Sequence, residues 1–278
     1  MWIRKKKIKQ LSDEVKLLIS SEDIDIREHK EGPLMVLRND IHTLFMHKKE
    51  QFDIVNKDKE VLKDTLADIS HQLKTPLTSM MLMTELLETA PPEKKQEFVN
   101  NIQSSLIRVE WLVSSLLKMA KLEALAIDFK KEEVTSSELV ELAVSPLMIQ
   151  LELKNQEIRL IGDEFFTCDK RWTAEALTNI IKNASEHSPV GSVITVEVGK
   201  NPICKWISVT DEGPGLSRAE VAKVFKRFET SNSTSGYGIG VPLASIIMKS
   251  QAGDIEVNGG GQKSGATFTL KFYNNESD

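Results

Sequence analysis

The sequence predicts two domains of different class, a helical hairpin that forms a dimeric four-helix bundle, followed by an α/β sandwich domain. From about residue 51 to 128, apolar side chains recur at intervals of three, four or seven, which is typical of long amphipathic helices. From residue 129 the pattern changes to short β-like runs separated by helical stretches, which indicates layers of helix and sheet. The chain has 278 residues, of which 40% are hydrophobic, and this is enough for two domains.

The hairpin is predicted to consist of one helix from about Gln51 to Glu88 and a second from Pro92 to about Asp128. Proline cannot continue a helix interior, so "TAPPEKK" ends the first helix, and Pro92 with Glu93 makes a favourable first turn for the second. The apolar seams consist of Val55, Leu62, Leu66, Ile69, Leu73, Leu77, Met80 and Leu87, then Phe98, Ile102, Leu106, Val109, Val113, Leu116 and Ala120. One hairpin cannot bury both seams, so a homodimer with a four-helix bundle is the economical solution.

Residues 1–50 form a charged segment ahead of the hairpin. Its start, "MWIRKKKIKQ", is typical of the cytoplasmic side of a membrane-spanning helix, and a solvated basic helix is the alternative that composition leaves open. No apolar run approaches the ~18 residues that a spanning helix needs. Gly32 and Pro33 are predicted to separate two short helices. We therefore expect a juxtamembrane linker, with the chain in the cytoplasm at the inner face of the cell membrane.

The α/β region contains five β-like runs and two helical stretches. The runs are "EIRLIG", "VITVEVG", "ICKWISVTD", "DIEVNG" and "ATFTLKFY", and the helical stretches are "RWTAEALTNIIKNASEH" and "PLASIIMKS". Adjacent runs near the end of the chain favour antiparallel pairing, which argues against a doubly wound parallel sheet.

Charge and cysteine content exclude several classes of function. A net charge of −5 gives no general attraction to nucleic acid, and no nucleic-acid-binding signature is present. Cys168 and Cys204 lack metal-ligand spacing and are expected to be ordinary reduced residues. We expect no direct binding of nucleic acid and no structural zinc or disulfide.

Two glycine-rich loops and one pair of asparagines are candidates for a ligand site. "DEGPG", Asp211 to Gly215, follows a β-like run, and "SGYGIG", Ser235 to Gly240, precedes a helix. Glycines let backbone N–H groups approach a phosphate, and a following helix N-terminus attracts negative charge. In "NIIKNASEH", Asn179 and the amide four residues later lie on one helix face. Each feature alone is also compatible with a flexible loop or with surface asparagines.

A histidine near a proline is the third candidate. In "SHQLKTPLTSM", Pro76 cannot donate to the carbonyl of Gln72, so the helix is expected to bend one turn after His71. An isolated histidine of this kind is usually a solvated side chain without a role. Its meaning therefore depends on the remote motifs.

Taken in order, "SHQLKTPLTSM", "NIIKNASEH", "DEGPG", "FKRF" and "GYGIG" resemble the H, N, G1, F and G2 boxes of sensor histidine kinases of two-component systems. "GATF", from Gly265 to Phe268, is similar to their third glycine motif. The resemblance covers roughly residues 50 to 275, and five motifs in order are far more specific than any one. It divides the chain into a juxtamembrane or HAMP-like linker (1–50), a dimerisation and histidine phosphotransfer hairpin (51–128) and a catalytic ATP-binding domain (129–278).

The resemblance implies a Bergerat-type ATP site in the second domain. Asp211 would accept a hydrogen bond from the adenine amino group, and Gly213 and Gly215 would let the backbone close over the base. Asn183 would hold Mg²⁺ through its amide oxygen, and Asn179 would line the site.

The remaining nucleotide contacts implied by the resemblance lie around the phosphates. Arg227 and glycine N–H groups would contact them, and residues 230–235 would form a mobile lid. The other residues assigned to the nucleotide are Lys182, His187, Phe228, Ser235, Gly236, Tyr237, Gly238, Ile239, Gly240 and Thr267.

The resemblance also implies the reaction. His71 would take the γ-phosphoryl group of ATP and pass it to an aspartate of a response regulator, with Asn179 and Arg227 assisting at the nucleotide. Thr75 matches the position that orients water when relatives dephosphorylate the regulator.

Two positions depart from the family pattern. Relatives usually carry Glu or Asp after the phosphoacceptor, whereas this chain has Gln72, whose amide can orient the imidazole but cannot act as a base. Many relatives have Lys where Glu186 stands, so which lysine reaches the nucleotide is open. Two alternatives remain at this stage, a Bergerat-fold ATPase outside two-component signalling and a dimeric scaffold that binds ATP without phosphotransfer.

Overall fold

The computed structural model describes residues 9, 13, 33–124, 126–229, 238–260 and 265–273, and the chain divides into two compact units, Met1–Ile69 and Ser70–Asp278. Helix α1 spans Pro33–Thr89 and helix α2 spans Pro92–Glu123. The expectation of a separate short helix before residue 51 is wrong, because α1 is continuous from Pro33. No glycine or proline lies between Pro33 and Pro76, so nothing in that stretch breaks the helix.

The turn between the helices has the predicted cause. Pro91 is the N-cap of α2 in an extended conformation, with φ −64° and ψ 150°. Pro92 occupies the first helical position and Glu93 adds a negative charge to the first turn. The start of α2 at Pro92 is therefore confirmed.

In the first unit, the described part of α1 exposes apolar side chains from Val36 to Leu66, including the seam residues Val55 and Leu62. Among the described residues, no helix has a stretch apolar and long enough to cross a membrane.

The α/β domain follows α2 within the second unit. Its strands are β1 (Lys131–Thr135), β2 (Glu157–Ile161), β3 (Phe165–Asp169), β4 (Val193–Lys200), β5 (Cys204–Thr210), β6 (Gly253–Asn258) and β7 (Thr267–Tyr273). Its helices are α3 (Ser136–Val144), α4 (Met148–Leu153), α5 (Lys170–His187), α6 (Arg218–Val221) and α7 (Gly240–Ser250).

The main sheet has the strand order β2-β4-β5-β7-β6. The β2–β4 pair is parallel, and the other three pairs are antiparallel. The predicted antiparallel pairing near the end of the chain is confirmed, and the sheet is not doubly wound. β1 and β3 form a second, antiparallel sheet that the sequence did not predict, because "KEEVT" carries three charges and buries only Val134.

The core of the domain lies between the main sheet and the helices that cover it. α5 and α7 pack against each other, and α3 packs on α5. The fully buried side chains include Leu177, Ile180, Ile194, Ile207 and Leu243. This layered arrangement puts the ends of α5 and β5 and the start of α7 within one region of the domain.

Helix α2 also packs against α7, through a face that the sequence did not single out. The buried residues of α2 are Leu112, Ser115, Met119 and Leu122. These positions recur at intervals of three and four, as expected for one helix face. The predicted seam of α2 lies beside this face, and its members Leu106 and Val113 are exposed.

Candidate functional site

Asp211 follows the end of β5 and is buried at the centre of the candidate site. Its Oδ1 accepts hydrogen bonds from the backbone N–H of Gly213 at 2.8 Å and of Ala266 at 3.1 Å. Burial raises the pKa of Asp211, and the two N–H donors lower it by a smaller amount, so that the pKa stays above its ordinary value. Neither bond uses Oδ2, so this oxygen can accept a hydrogen bond from a ligand.

Close backbone packing surrounds this carboxyl. A Cβ on Gly213 would lie 2.8 Å from the carbonyl oxygen of His187, and one on Gly265 would lie 1.7 Å from that of Asp211. Gly215 and Gly265 also have positive φ, at 74° and 66°. Larger residues would therefore displace the backbone around Asp211. The hydroxyls of Thr210 and Thr267 lie 2.9 Å apart on the neighbouring strands.

Helix α5 brings both predicted asparagines to the site. Asp169 caps its start by accepting from the N–H groups of Arg171 and Trp172. Asn179 is buried, and its Nδ2 donates to the carbonyl of Glu175 at 2.8 Å. Asn183, one turn later, is half-buried.

The start of α7 lies against α5. A Cβ on Gly240 would lie 3.2 Å from Oδ1 of Asn179, so glycine keeps this approach open. The backbone N–H of Phe228 donates to the carbonyl of Gly238 at 2.9 Å, and both residues have φ of 63°. Ile239 is fully buried. The predicted site residues Ser235, Gly236 and Tyr237 lie outside the described residues.

Arg227 and Lys182, the two cations that the resemblance assigns to the nucleotide, both contact side chains of helix α2. Arg227 is half-buried and forms a salt bridge with Glu123, and burial lowers the pKa of its guanidinium. Nζ of Lys182 lies 4.4 Å from the ring centroid of Trp111, within range of a cation–π interaction. The same Nζ lies 3.9 Å from a carboxylate oxygen of Glu186.

A third polar contact joins α2 to α5. Lys118 donates to Glu175 at 2.6 Å, one turn before Asn179. Together with the pairs of Arg227 and Lys182, this contact links the α/β domain to α2. Trp111, Lys118 and Glu123 were not found by sequence reasoning, because a contact between two domains leaves no pattern in either one.

His71 lies on α1 with an exposed side chain, and Gln72 beside it is half-buried. The hydroxyl of Thr75 donates to the carbonyl of His71 at 3.3 Å. Pro76 is buried, and α1 remains helical through it. The structure thus presents the imidazole at the helix surface, and Pro76, later on the same helix, has no backbone N–H to donate to the carbonyl of Gln72.

Two domain families match the chain in the order hairpin, then α/β domain. The His Kinase A (phospho-acceptor) domain matches residues 61–125. The family described as histidine kinase-, DNA gyrase B- and HSP90-like ATPase matches residues 168–275.

Individual curated kinases are also similar to this chain in sequence. The sensor histidine kinase WalK of Bacillus subtilis is 28% identical over 242 residues, which cover 82% of this chain and 40% of WalK. The chain spans less than half the length of the curated relatives WalK, sporulation kinase C and RssA.

Solved structures support the fold. The histidine kinase AdeS of Acinetobacter baumannii is 23% identical to this chain and superposes with a TM-score of 0.60. The superposition covers 74% of this chain and 98% of AdeS. The histidine kinase ThkA, in a crystal structure with the response regulator protein TrrA, is 19% identical, with a TM-score of 0.65 over 82% of this chain and 66% of ThkA.

The phosphoacceptor family matches the hairpin, and the ATPase family matches the α/β domain, in the order found in the named relatives. The chain therefore belongs to the sensor histidine kinase family of two-component systems.

Proposed function

We propose that this chain transfers the γ-phosphoryl group of ATP to His71 and then to an aspartate of a response regulator. The observation that carries the proposal is the buried carboxyl of Asp211, held by two backbone N–H groups through one oxygen. This leaves a directional acceptor for the amino group of adenine, in a domain of the ATPase family matched above. His71 lies exposed in the matched phosphoacceptor domain.

The residues around the site suit the rest of the nucleotide. The amide oxygen of Asn183 would hold Mg²⁺, which prefers oxygen ligands, and the ion when bound would offset phosphate charge. Asn179 lines the contact between α5 and the first turn of α7. Arg227 is the cation that would contact the phosphates, once it leaves Glu123. His187, Phe228, Gly238, Ile239, Gly240 and Thr267 complete the proposed contacts, with Lys182 as a second cation.

In the transfer, a bond forms between an imidazole nitrogen of His71 and the γ-phosphorus, and the bond from that phosphorus to the bridging oxygen of ADP breaks. In a neutral imidazole, the ring nitrogen that carries no proton is the nucleophile. The attacking imidazole must lose a proton, and the amide of Gln72 cannot take it. The proton therefore passes to water at this exposed position. Thr75 would orient a water molecule that attacks the phosphoaspartate of the regulator, which breaks the acyl phosphate bond and releases inorganic phosphate.

The partners follow from the hairpin. Exposed apolar residues on α1 and α2 support a homodimer that covers them in a four-helix bundle. A response regulator is the expected acceptor, and the solved complex of ThkA with TrrA supports this kind of partner. The basic start of the chain supports a position at the inner face of the membrane, with the linker (1–50), hairpin (51–128) and catalytic domain (129–278) as the proposed domains.

The test is incubation of the purified chain with Mg²⁺ and γ-labelled ATP, with His71→Gln and His47→Gln in parallel. His47 is a matched control, because it is an exposed histidine on the same helix. We expect an acid-labile, base-stable label in the wild type and in His47→Gln, and none in His71→Gln. EDTA is expected to abolish the label.

Two results would overturn the proposal. A label that persists in His71→Gln would move the phosphoacceptor elsewhere. ATP binding without any label would favour an ATP-binding scaffold or an ATPase without phosphotransfer.

A further inference from the structure

The C-terminal end of α5 is held by side chains from the connection between α4 and β2. A helix leaves its last carbonyl groups without partners inside the helix. Here Nε2 of Gln156 lies 3.2 Å from the carbonyl oxygen of Ser185, 3.4 Å from that of Ser188 and 3.0 Å from that of Pro189. Nζ of Lys154 donates to the same carbonyl of Ser185 at 2.6 Å. Side chains from another segment thus cap the end of α5.

Gln156 is buried, with 9% of its surface exposed, and both ends of its amide are in use. Its Oε1 accepts from the hydroxyl of Ser185 at 2.6 Å, and its Nε2 lies 3.2 Å from Oγ of Ser192. An apolar side chain here would remove this donor from the carbonyl of Ser188 and the hydroxyl of Ser192, both in buried residues, which is costly. The amide is therefore the chemical feature that this position requires.

The backbone fixes Gln156 in this place. α4 ends at Leu153, and Asn155 takes a left-handed conformation with φ 48°, which asparagine tolerates after a helix. The N–H of Gly191 donates to the carbonyl of Lys154 at 2.8 Å, and that of Glu157 donates to the carbonyl of Ser192 at 3.1 Å. The turn after α5 is therefore tied to the turn after α4 on both sides of Gln156.

The capped end of α5 supports the turn that follows Asp211. The carbonyl of His187 lies against Gly213, where an added Cβ would come within 2.8 Å of its oxygen. The hydroxyl of Ser188 accepts from the N–H of Glu212 at 3.3 Å. A shift of residues 187 and 188 would therefore move residues 212 and 213, and with them the N–H of Gly213 that orients the carboxyl of Asp211.

We propose that Gln156 is a positioning residue for recognition of the nucleotide base, acting through the end of α5 on the carboxyl of Asp211. The proposal rests on the proposed role of Asp211 as the acceptor of the adenine amino group. Both ends of the Gln156 amide are engaged by residues 185–192, at the end of α5 and in the turn after it, so its loss should weaken recognition of the base more than that of the triphosphate.

The test compares ATP with inosine triphosphate, which has the same triphosphate but lacks the amino group. Calorimetry would give both dissociation constants for the wild type, Gln156→Met and Ser188→Ala. For Gln156→Met we expect ATP binding to weaken about tenfold and binding of inosine triphosphate less than about twofold, so the preference for ATP shrinks. Ser188→Ala removes only the bond to Glu212 and should reduce the preference by about threefold.

Gln150→Met is the matched control. Nε2 of Gln150 donates to Oγ of Ser185 at 3.3 Å, in the same network, but Gln150 caps none of the α5 carbonyls. Its preference for ATP should equal that of the wild type. Equal weakening of both nucleotides in Gln156→Met would show a general structural role and overturn the proposal. If that variant does not fold, an unchanged preference in Ser188→Ala overturns it.

The same preparations separate this inference from the kinase proposal. A wild type that prefers ATP, loses the preference in Gln156→Met and forms no phosphohistidine at His71 would leave the inference standing and remove the kinase assignment. If the wild type forms phosphohistidine at His71 and Gln156→Met keeps the preference for ATP, the kinase assignment stands and the inference is overturned. A wild type without any preference for ATP would overturn the inference, because Asp211 would then not read the base.

Discussion

The hairpin and the nucleotide domain, which is the α/β domain that matches the ATPase family, use similar apolar residues in opposite ways. On α1 and α2, Leu77 is 47% exposed, Ile107 is 66% exposed and Leu117 is 58% exposed. In the nucleotide domain, Ile207 and Leu243 are fully buried. The nucleotide domain therefore completes its core within one chain, whereas the hairpin leaves apolar surface that a second copy would cover.

Helix α2 belongs to both arrangements. One face, with Leu112 and Met119, is buried in the contact with the nucleotide domain, while Leu106 and Val113 on the seam are exposed. The contact is reinforced at its rim by the pair of Glu123 and Arg227 and by Lys182 over Trp111. One helix thus carries a surface for its own chain and an exposed apolar seam that we propose faces a partner, and the two should respond separately to substitution.

The largest expected effect is on the closed core. Leu243→Ala should lower the free energy of unfolding of the nucleotide domain by about 2–5 kcal/mol, because it leaves a cavity under α7. Urea unfolding measures this, and sedimentation should show an unchanged dimer. Val190→Ala is the control at a position that is 71% exposed, with an expected change within about 0.5 kcal/mol. A similar loss in both variants would contradict the distinction between core and surface.

Next in size is the open seam. Leu106→Asp should raise the dissociation constant of the dimer at least about a hundredfold, because a carboxylate would have to be buried between the protomers. The unfolding of the nucleotide domain and its affinity for ATP should stay unchanged. Ser104→Asp, an exposed polar position on the same helix, serves as the control. A dimer that survives Leu106→Asp would show that this part of the seam is not the interface.

A smaller effect concerns the burial of Asp211, which raises its pKa in the folded chain above the ordinary value of 3.8. Its contribution to folding stability is therefore fully present below pH 3.8 and is lost as pH rises through the raised pKa. ATP binding has the opposite sign, since the ionised carboxylate is the stronger acceptor. On acidification through the raised pKa, ATP affinity should fall about tenfold more in the wild type than in Asp211→Asn. Parallel pH profiles by calorimetry in the two proteins would contradict this.

The smallest effect is expected at the rim of the α2 contact. Glu123→Gln should tighten ATP binding about two- to fivefold, because an exposed ion pair contributes only ~0.2–1 kcal/mol and its loss frees Arg227 for the phosphates. Glu110→Gln, at an exposed position of the same helix, should leave the affinity unchanged. Weaker ATP binding in Glu123→Gln would show that this pair supports the nucleotide-binding state.

The sequence by itself determined the fold class and the elements with a local cause. The spacing of apolar residues predicted both long helices, except that α1 begins at Pro33 and not near Gln51. Pro91 and Pro92 predicted the turn between them, and five short β-like runs predicted the strands of the main sheet. The ordered motifs also predicted the family, which the domain matches confirm. The roles of the individual site residues stay predictions.

Only the tertiary structure decided the features that depend on residues far apart in sequence. These include the pairing of β1 with β3, the buried face of α2 with Leu112 and Met119, and the salt bridge between Glu123 and Arg227. Gln156 shows the reason. Nothing in its neighbours marks it as a cap, because its partners are carbonyl groups of another helix, and backbone atoms carry no sequence signature. Periodicity reports which face of an element is apolar, whereas packing decides what that face meets.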